Sequence, residues 1–271
     1  MALRPKLASL NSEQFEIVRN MIYGVCGIRL SENKIQLVQS RLAKRLVALD
    51  LPDVEAYLRF LKSDRSGVEL VHLVDVLTTN KTNFFRELAH FDFLENAVLP
   101  KLSNRRARIW SAACSSGEEP YSVAMLLRDA IPRIDSWDVK ILATDISTEI
   151  LEKARAGKYT RDQLQGVSPE RVRKYFKSQT GSNEFLISDE IKKMVGFARL
   201  NLMGQFPMKG KFDVILCRNV MIYFDKETQS RLIDRLGDYL TDGGYLMVGH
   251  AESLAGGNER FTYVQPAVYR R

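Results

Sequence analysis

The sequence is poor in cysteine and histidine, and it has no long hydrophobic run. Its three cysteines, Cys26, Cys114 and Cys217, lie far apart in 271 residues, which argues against a disulfide framework and for a reducing compartment. These cysteines and the three scattered histidines show no metal-ligand spacing, so no metal site is expected. No apolar run is long enough to span a bilayer, and residues 1–20 lack the apolar core of a signal peptide. We therefore expect a cytoplasmic protein without membrane insertion.

The composition is otherwise that of a globular protein. Hydrophobic residues make up 45% of the chain and charged residues 27%, which excludes a largely disordered chain. The length predicts two domains, or one domain with an appendage. The net charge of +7 favours a polyanionic or acidic partner. Because basic and acidic residues alternate throughout, an acidic protein surface explains this charge as well as nucleic acid does.

The N-terminal part of the chain carries only helical patterns. Apolar residues recur at spacings of three and four, and a serine is a plausible N-cap of each of the two longer helices. The predicted helices cover residues 12–25, 31–49, 53–61 and 67–77.

Three cations of the second predicted helix share one face. Lys34, Arg41 and Arg45 fall within about 40° of one another at 3.6 residues per turn. They form either a solvated basic face or a face that docks an acidic helical partner, and the sequence leaves both interpretations open.

Residues 78–87 interrupt the helical pattern with threonine and asparagine, which favour caps and turns over helix interiors. This segment is predicted to be a connector into a second domain, with a helix restarting near Phe84.

The pattern from Arg108 onwards alternates between strand and helix, which predicts a mostly parallel, doubly wound α/β sheet. The last two strands have no helix between them, so they are expected to pair antiparallel after a turn at Asp242. Residues 175–187 indicate an inserted hairpin. Strands are predicted at 109–113, 139–144, 195–200, 212–217, 245–249 and 261–269, and helices at 121–130, 148–156 and 228–239.

The segment from Ile109 to Tyr121 indicates a strand, a tight turn of small residues around Gly117, and a helix. Such a turn presents backbone N–H groups and a helix N-terminus to a ligand. It lacks the three glycines of a dinucleotide fingerprint, and Glu118 and Glu119 would repel a pyrophosphate. These carboxylates would attract an ammonium or sulfonium group, so S-adenosylmethionine is favoured over NAD. Helical phase does not decide which of the two faces the ligand.

Polar residues follow the other predicted strands at their carboxyl ends, where open α/β sheets bind ligands. Asp145 suits the ribose hydroxyls of a nucleoside cofactor, although it could instead be the N-cap of the next helix. Asn201 and Leu202 follow the third strand, and Arg218 and Asn219 follow the fourth. We expect these pairs to contact the cofactor.

Taken together, these motifs resemble those of the CheR-type chemotaxis receptor methyltransferases, over essentially the whole chain. The resemblance is specific because several motifs occur in the family's order. They are Thr-Thr-Asn-Lys-Thr-Asn-Phe-Phe-Arg-Glu at 78–87, Ser-Ser-Gly-Glu-Glu-Pro-Tyr-Ser at 115–122, Ala-Thr-Asp-Ile-Ser at 143–147, Cys-Arg-Asn-Val-Met-Ile-Tyr-Phe-Asp at 217–225 and Gly-His-Ala-Glu-Ser at 249–253.

The resemblance implies methyl transfer from S-adenosylmethionine to glutamate side chains on the cytoplasmic coiled coils of chemoreceptors, with S-adenosylhomocysteine as product. We expect Arg86 and Tyr223 to orient the acceptor carboxylate. The implied cofactor contacts come from Asn80, Thr82, Arg86, Glu118, Asp145, Asn201, Leu202, Arg218 and Asn219.

The resemblance also implies the domain organisation. Residues 1–77 would form a helical domain that meets the receptor, residues 78–90 a linker that belongs to the active site, and residues 91–271 a class I methyltransferase domain. A small β-subdomain would be inserted at about 170–198. We expect a monomer, and whether a further protein regulates access is left open.

Two other functions are compatible with such a fold. A nucleic-acid methyltransferase would suit the basic charge, but base-amino methylation usually needs an Asn/Asp-Pro-Pro-aromatic turn where this chain has Cys-Arg-Asn-Val at 217–220. A degenerate, non-catalytic module is the second alternative. The intact motifs argue against it.

Overall fold

The computed structural model describes residues 9–102, 104–178, 181–254 and 258–271, and it divides into two compact units. One is the N-terminal part up to Thr79 together with Tyr223–Asp225, and the other comprises Asn80–Ile222 and Lys226–Arg271. Within the described residues, no helix combines the length and apolar character needed to cross a membrane.

The N-terminal unit is helical, as its periodicity predicts. Asn11 and Gln14 form a capping box at the start of the first helix, so the N-cap is Asn11 and not the predicted Ser12. The second predicted helix begins with a 3-10 turn at Glu32–Lys34, which places Lys34 outside the α-helix itself. The α-helices are α1 (Ser12–Cys26), α2 (Ile35–Ala48), α3 (Val54–Ser63) and α4 (Val68–Leu77).

The second unit is built on a seven-stranded sheet with the order β6-β2-β1-β7-β8-β10-β9. The four pairings from β6 to β8 in this order are parallel, and β10 is antiparallel to both β8 and β9. The strands are β1 (Arg106–Ala112), β2 (Asp138–Asp145), β6 (Val195–Arg199), β7 (Phe212–Cys217), β8 (Leu240–Val248), β9 (Thr262–Gln265) and β10 (Val268–Arg270), and the helices between them are α6 (Glu118–Ala130), α7 (Thr148–Ala156), α9 (Asp189–Lys192) and α10 (Lys226–Asp238).

The C-terminal strands differ from their predicted limits. The prediction of a turn at Asp242 is wrong, because β8 starts at Leu240 and runs through it. Gly243, with φ of 78°, takes up an irregularity in the register between β7 and β8. The single strand predicted at 261–269 is in fact two strands, because Ala267 adopts a φ of 62° between them.

The predicted hairpin is part of a separate three-stranded antiparallel sheet with the order β3-β5-β4. Its strands are β3 (Lys158–Thr160), β4 (Phe176–Ser178) and β5 (Glu184–Ile187), and the helix α8 (Pro169–Tyr175) precedes β4. The predicted limits of 170–198 are wrong at both ends, because β3 lies earlier and β6 belongs to the main sheet. A strand of three residues is too short to give an alternating pattern.

The prediction that a helix restarts near Phe84 is also wrong, because α5 covers Leu88–Phe93 and continues as a π-turn at Leu94–Val98. Phe85 and Glu87 have φ values of 51° and 60°, which interrupt a helix. Phe84 is fully buried, with its ring edge-on to Tyr159 at a centroid distance of 4.8 Å. Burial of the aromatic ring outweighs the local helical pattern.

Candidate active site

The turn after β1 is tight and left-handed. Ala113, Ser115 and Gly117 have φ values of 61°, 51° and 93°, and Cys114 N donates to Thr144 O at 2.9 Å, which joins the ends of β1 and β2. A φ of 93° strains any other residue at Gly117, and an added Cβ would also lie 3.1 Å from Ala154 Cβ, so the turn favours glycine. Helix α6 therefore begins at Glu118, earlier than predicted.

The Asp145 side chain connects this turn to the end of β2 by hydrogen bonds. Its side chain is buried, and its carboxylate accepts hydrogen bonds from Ser115 N at 2.9 Å and Ser147 N at 3.0 Å. The alternative role as an N-cap is wrong, because Ser147 caps α7 through Ile150 N. The carboxylate thus lies at the carboxyl edge of the sheet, where its chemistry matches the hydroxyl donors of a ribose.

The two glutamates of the turn have different partners. The carboxylate of Glu119 accepts from Ser111 Oγ at 2.6 Å and pairs with Arg218 Nη1 at 2.9 Å. Glu118 is only 2% exposed and accepts from Ser116 Oγ at 2.6 Å, and burial raises the pKa of its carboxyl group. A cationic ligand would favour the ionised form of such a group. Because Glu119 is held in an ion pair, Glu118 is the better candidate for a ligand contact.

The linker lies beside the same turn. Ser115 Oγ donates to Asn80 O at 3.2 Å, and Ser115 N is the donor to Asp145, so this one serine contacts two of the predicted cofactor residues. Thr82 is half-buried, and Arg86 Nη1 donates to Lys81 O at 3.0 Å.

Asn201 and Leu202 follow β6 at the same edge of the sheet. Asn201 Oδ1 accepts from Met203 N at 2.9 Å, and Leu202 is buried. Arg235 donates to Leu202 O at 3.0 Å and its guanidinium stacks on Phe206 at 4.1 Å. The loop is therefore fixed through its backbone by α10.

Arg218 and Asn219 follow β7, but the Arg218 side chain points into an ion-pair network. Its guanidinium is 2% exposed and pairs with Glu87 and Glu119, each at 2.9 Å, and it also donates to Arg86 O. Any cofactor contact of Arg218 would therefore come from its backbone. Asn219, with φ of 57°, donates from Nδ2 to Glu87 Oε1 at 3.2 Å.

The sequence analysis missed Glu87 as a functional candidate, although it directly follows Arg86 in the first motif. Burial alone would raise the pKa of Glu87, but the hydrogen bond and positive charge of Arg218 outweigh burial and hold this pKa at about 2. His250 N also donates to its carboxylate, at 3.3 Å. Glu87 is thus an ionised carboxylate that joins the linker to two other chain segments.

Glu252 was missed in the same way, although it lies in the last motif. Its buried carboxylate accepts from the backbone nitrogens of Gly249 at 2.6 Å, Asn219 at 2.8 Å and Ile222 at 3.1 Å. A Cβ at Gly249 would lie 2.8 Å from the Glu252 carboxylate. This pair fixes the loop after β7 to the end of β8.

Glu87, His90 and His250 could offer ligand atoms that lie within 4.8 Å of one another. The carboxylate of Glu87, however, already accepts from Arg218 and Asn219. A metal ion would have to replace a guanidinium there, so the side-chain chemistry does not favour one.

His90 is a buried imidazole beside this network, and neither ring nitrogen finds a hydrogen-bond partner among the described residues. Burial first, and then the charge of Arg218, lower the pKa of His90 to about 4. The folded protein therefore holds His90 in its neutral form.

We expect the free energy of unfolding to fall as the pH drops from about 6.5 to 4, because His90 takes up a proton more readily in the unfolded chain. The contribution of neutral His90 to the free energy of unfolding is complete above pH 6.5 and amounts to roughly 3 kcal/mol. Urea denaturation should give a flatter pH profile for His90→Leu, and the wild-type profile for His72→Gln, which changes an exposed histidine. Parallel profiles for His90→Leu and the wild type would contradict the assignment.

The three cations predicted to bind a partner have different surroundings in the helical unit. Arg45 pairs with the buried Glu69 at 2.6 Å, and Tyr57 Oη donates to the same carboxylate at 2.8 Å. Arg41 donates to the carbonyl oxygens of Leu77 and Thr78, at the end of α4. The interpretation as a solvated basic face is therefore wrong for Arg45. Its guanidinium, like that of Arg41, holds helices of the unit together.

Lys34 is exposed. Tyr223 also belongs to the helical unit, where it is half-buried and its carbonyl accepts from Arg29 N at 2.8 Å. Receptor contact by Lys34 and orientation of the acceptor by Tyr223 stay predictions.

A doubly wound sheet that ends in antiparallel strands, with an acidic turn at its carboxyl edge, defines the class of S-adenosylmethionine-dependent methyltransferases. Two family models match the chain. The CheR methyltransferase all-alpha domain matches residues 13–78, and the CheR methyltransferase SAM binding domain matches residues 80–269.

The sequences of known relatives are similar to this one over nearly the whole chain. The chemotaxis protein methyltransferase of Borreliella burgdorferi is 40% identical over 97% of this chain and 95% of its own length. That of Escherichia coli is 40% identical over 96% of this chain and 91% of its own length. Among solved structures, the glycopeptide N-methyltransferase MtfA with S-adenosylmethionine has a TM-score of 0.38 at 12% identity, covering 63% of this chain and 51% of MtfA. The chain belongs to the CheR family of chemotaxis protein methyltransferases.

Proposed function

We propose that this protein transfers methyl groups from S-adenosylmethionine to glutamate side chains on the cytoplasmic domains of chemoreceptors, forming methyl esters. One observation carries the proposal: in a CheR-family chain, the buried carboxylates of Asp145 and Glu118 flank the turn after β1. Two buried acids beside this turn, one at the end of β2 and one at the start of α6, suit a ligand with hydroxyl donors and positive charge, and their charge disfavours a phosphate.

Within this proposal, we assign cofactor contacts by matching side-chain groups to the chemical groups of S-adenosylmethionine. Asp145 accepts from the ribose hydroxyls, and Glu118 faces the amino group of the methionine moiety. The other contacts come from the linker and from the two strand-end loops. They are Asn80, Thr82, Arg86, Asn201, Leu202 and the backbone of Arg218 and Asn219.

The bound S-adenosylmethionine supplies a methyl group on a positively charged sulfur. The acceptor needs no general base, because a glutamate with a pKa of about 4.3 is already ionised at neutral pH. The protein must hold the acceptor in line and exclude water, and such positioning contributes roughly 7–11 kcal/mol. We assign the orientation of the acceptor carboxylate to Arg86 and Tyr223.

The product is uncharged where the substrate carried a negative charge. Each methyl ester therefore reduces the electrostatic repulsion between neighbouring acidic helices of the receptor. This change would alter the receptor's signalling bias without any change of its ligand.

The test is transfer of radiolabelled methyl groups to receptor-enriched membranes, followed by treatment with base. A glutamyl ester releases the label as volatile methanol, whereas methylated nucleobases and N-methyl groups keep it. Labelled methanol is the expected result. Label that stays on nucleic acid would support the nucleic-acid methyltransferase, and no transfer at all would support a non-catalytic module.

For the receptor contact, we expect Lys34→Glu to raise the KM for the receptor by about fivefold, because a rim charge mainly affects association. The affinity for S-adenosylhomocysteine should stay unchanged. Lys44→Glu, the same change at another exposed lysine of the unit, is the control. Equal KM values for the two variants would place the docking face elsewhere. Arg45→Glu is unsuitable, because it would set two carboxylates against each other at Glu69.

A further inference from the structure

We propose that Glu87 is a positioning residue for methyl transfer, which acts through Arg218 to hold Arg86 in place. The inference rests on the proposed function, because Arg86 matters only if it contacts the cofactor or the acceptor. Glu87 itself is assigned no contact with either. Its role is to fix the backbone from which the Arg86 side chain extends.

Arg218 holds the linker at Arg86 and Glu87. Arg218 donates to both Arg86 O and Glu87 Oε2 through the same nitrogen, Nη2. Its other terminal nitrogen, Nη1, is anchored to Glu119 at the start of α6. One buried guanidinium therefore connects the linker to α6, the helix that begins at the turn after β1.

The other carboxylate oxygen of Glu87 accepts hydrogen bonds as well. Oε1 accepts from Asn219 Nδ2 at 3.2 Å and from His250 N at 3.3 Å. These residues follow β7 and β8, so the carboxylate joins the linker to two strand ends. Glu87 is thus the point where the linker, β7 and β8 meet.

The backbone on either side of Arg86 has an unusual conformation. Phe85 and Glu87 both have positive φ, on either side of Arg86. A non-glycine residue keeps such a conformation only where surrounding contacts determine it. On one side of Arg86, the backbone of Phe85 is fixed because its N–H donates to Ser122 Oγ at 2.9 Å. On the other side, the hydrogen bonds of the Glu87 carboxylate fix the backbone of Glu87.

The test is a double-mutant cycle between Glu87 and Arg86. In Glu87→Gln an amide replaces the carboxylate, so either Arg218 faces an N–H donor or the contacts to Asn219 and His250 are lost. We expect this variant to bind S-adenosylhomocysteine about fivefold more weakly by calorimetry and to lower kcat about tenfold. In an Arg86→Ala background, the same substitution should change the affinity by less than about twofold.

The control is Asp129→Asn, an acid-to-amide change at another carboxylate of the same unit that also has three donors, from Arg171, Lys174 and Tyr175. It should keep the wild-type affinity and kcat. All affinities are measured well below the melting temperature of each variant. If Glu87→Gln does not fold, Glu87→Asp, which keeps the charge but shortens the reach, is used in the same cycle.

An equal loss of affinity in the wild-type and Arg86→Ala backgrounds would overturn the proposal, because Glu87 would then act independently of Arg86. Wild-type affinity and kcat in Glu87→Gln would also overturn it. Failure of the proposed function is distinguishable, because the calorimetric cycle needs no turnover. In that case the wild-type protein would form no base-labile ester, whatever the outcome of the cycle.

Discussion

Replacing Asp145 by alanine is expected to weaken the binding of S-adenosylmethionine and S-adenosylhomocysteine by about a hundredfold or more. The physical reason is that a carboxylate makes charge-assisted hydrogen bonds to the ribose, and losing two of them from a buried site costs about 3 kcal/mol. Titration calorimetry with S-adenosylhomocysteine measures this directly. Asp145→Asn, which keeps one acceptor oxygen, should give an intermediate loss.

The matched control for this prediction is Ser147→Ala, two residues further along the chain. Ser147 Oγ accepts from Ile150 N and caps α7, so its loss should cost about 1 kcal/mol of stability. It leaves the Asp145 carboxylate in place, and the cofactor affinity should stay within about twofold of the wild type. An unchanged affinity in Asp145→Ala, with the fold intact by circular dichroism, would remove the ribose assignment.

The part of the site around Asp145 could be predicted from sequence because it is built locally. A small-residue turn, a proline near the start of a helix and an acid at a strand end each leave a signal within a few residues. Parallel strands then bring their carboxyl ends to one edge of the sheet. The parallel part of the main sheet was predictable for the same reason, because β1, β2, β7 and β8 each carry their own apolar run.

The features that sequence analysis missed depend on distant partners. Glu87 and Arg218 are 131 positions apart, and nothing near either residue shows that one neutralises the other. Arg45 looked like a surface cation because its helical phase places it beside two others, but Glu69 and Tyr57 lie opposite it. At Phe84, burial of a ring against the small sheet overrides the local preference for helix.

The buried network also predicts a large effect on stability. Arg218→Met should lower the free energy of unfolding at pH 7 by about 3–5 kcal/mol, because losing the buried guanidinium leaves the half-buried carboxylates of Glu87 and Glu119 without a cation. The matched control is Arg128→Met, which also removes a guanidinium between two carboxylates. Its partners Asp135 and Glu190 are exposed by 81% and 41%, so its cost should stay below about 1 kcal/mol.

The difference in the free energy of unfolding between Arg218→Met and the wild type should become smaller in acid. The folded-state pKa of Glu87, about 2, is below the ordinary value of 4.5, so its contribution is complete above pH 4.5 and is lost as the pH falls towards 2. Without Arg218 the main causes that hold this pKa down are gone, and only the hydrogen bonds from Asn219 and His250 still lower it, so the variant has less of this contribution to lose. Urea denaturation at pH 7 and pH 3.5 should therefore show the two proteins converging. A difference that stays constant with pH, or a cost no larger than that of Arg128→Met, would mean that the network does not stabilise the fold through charge.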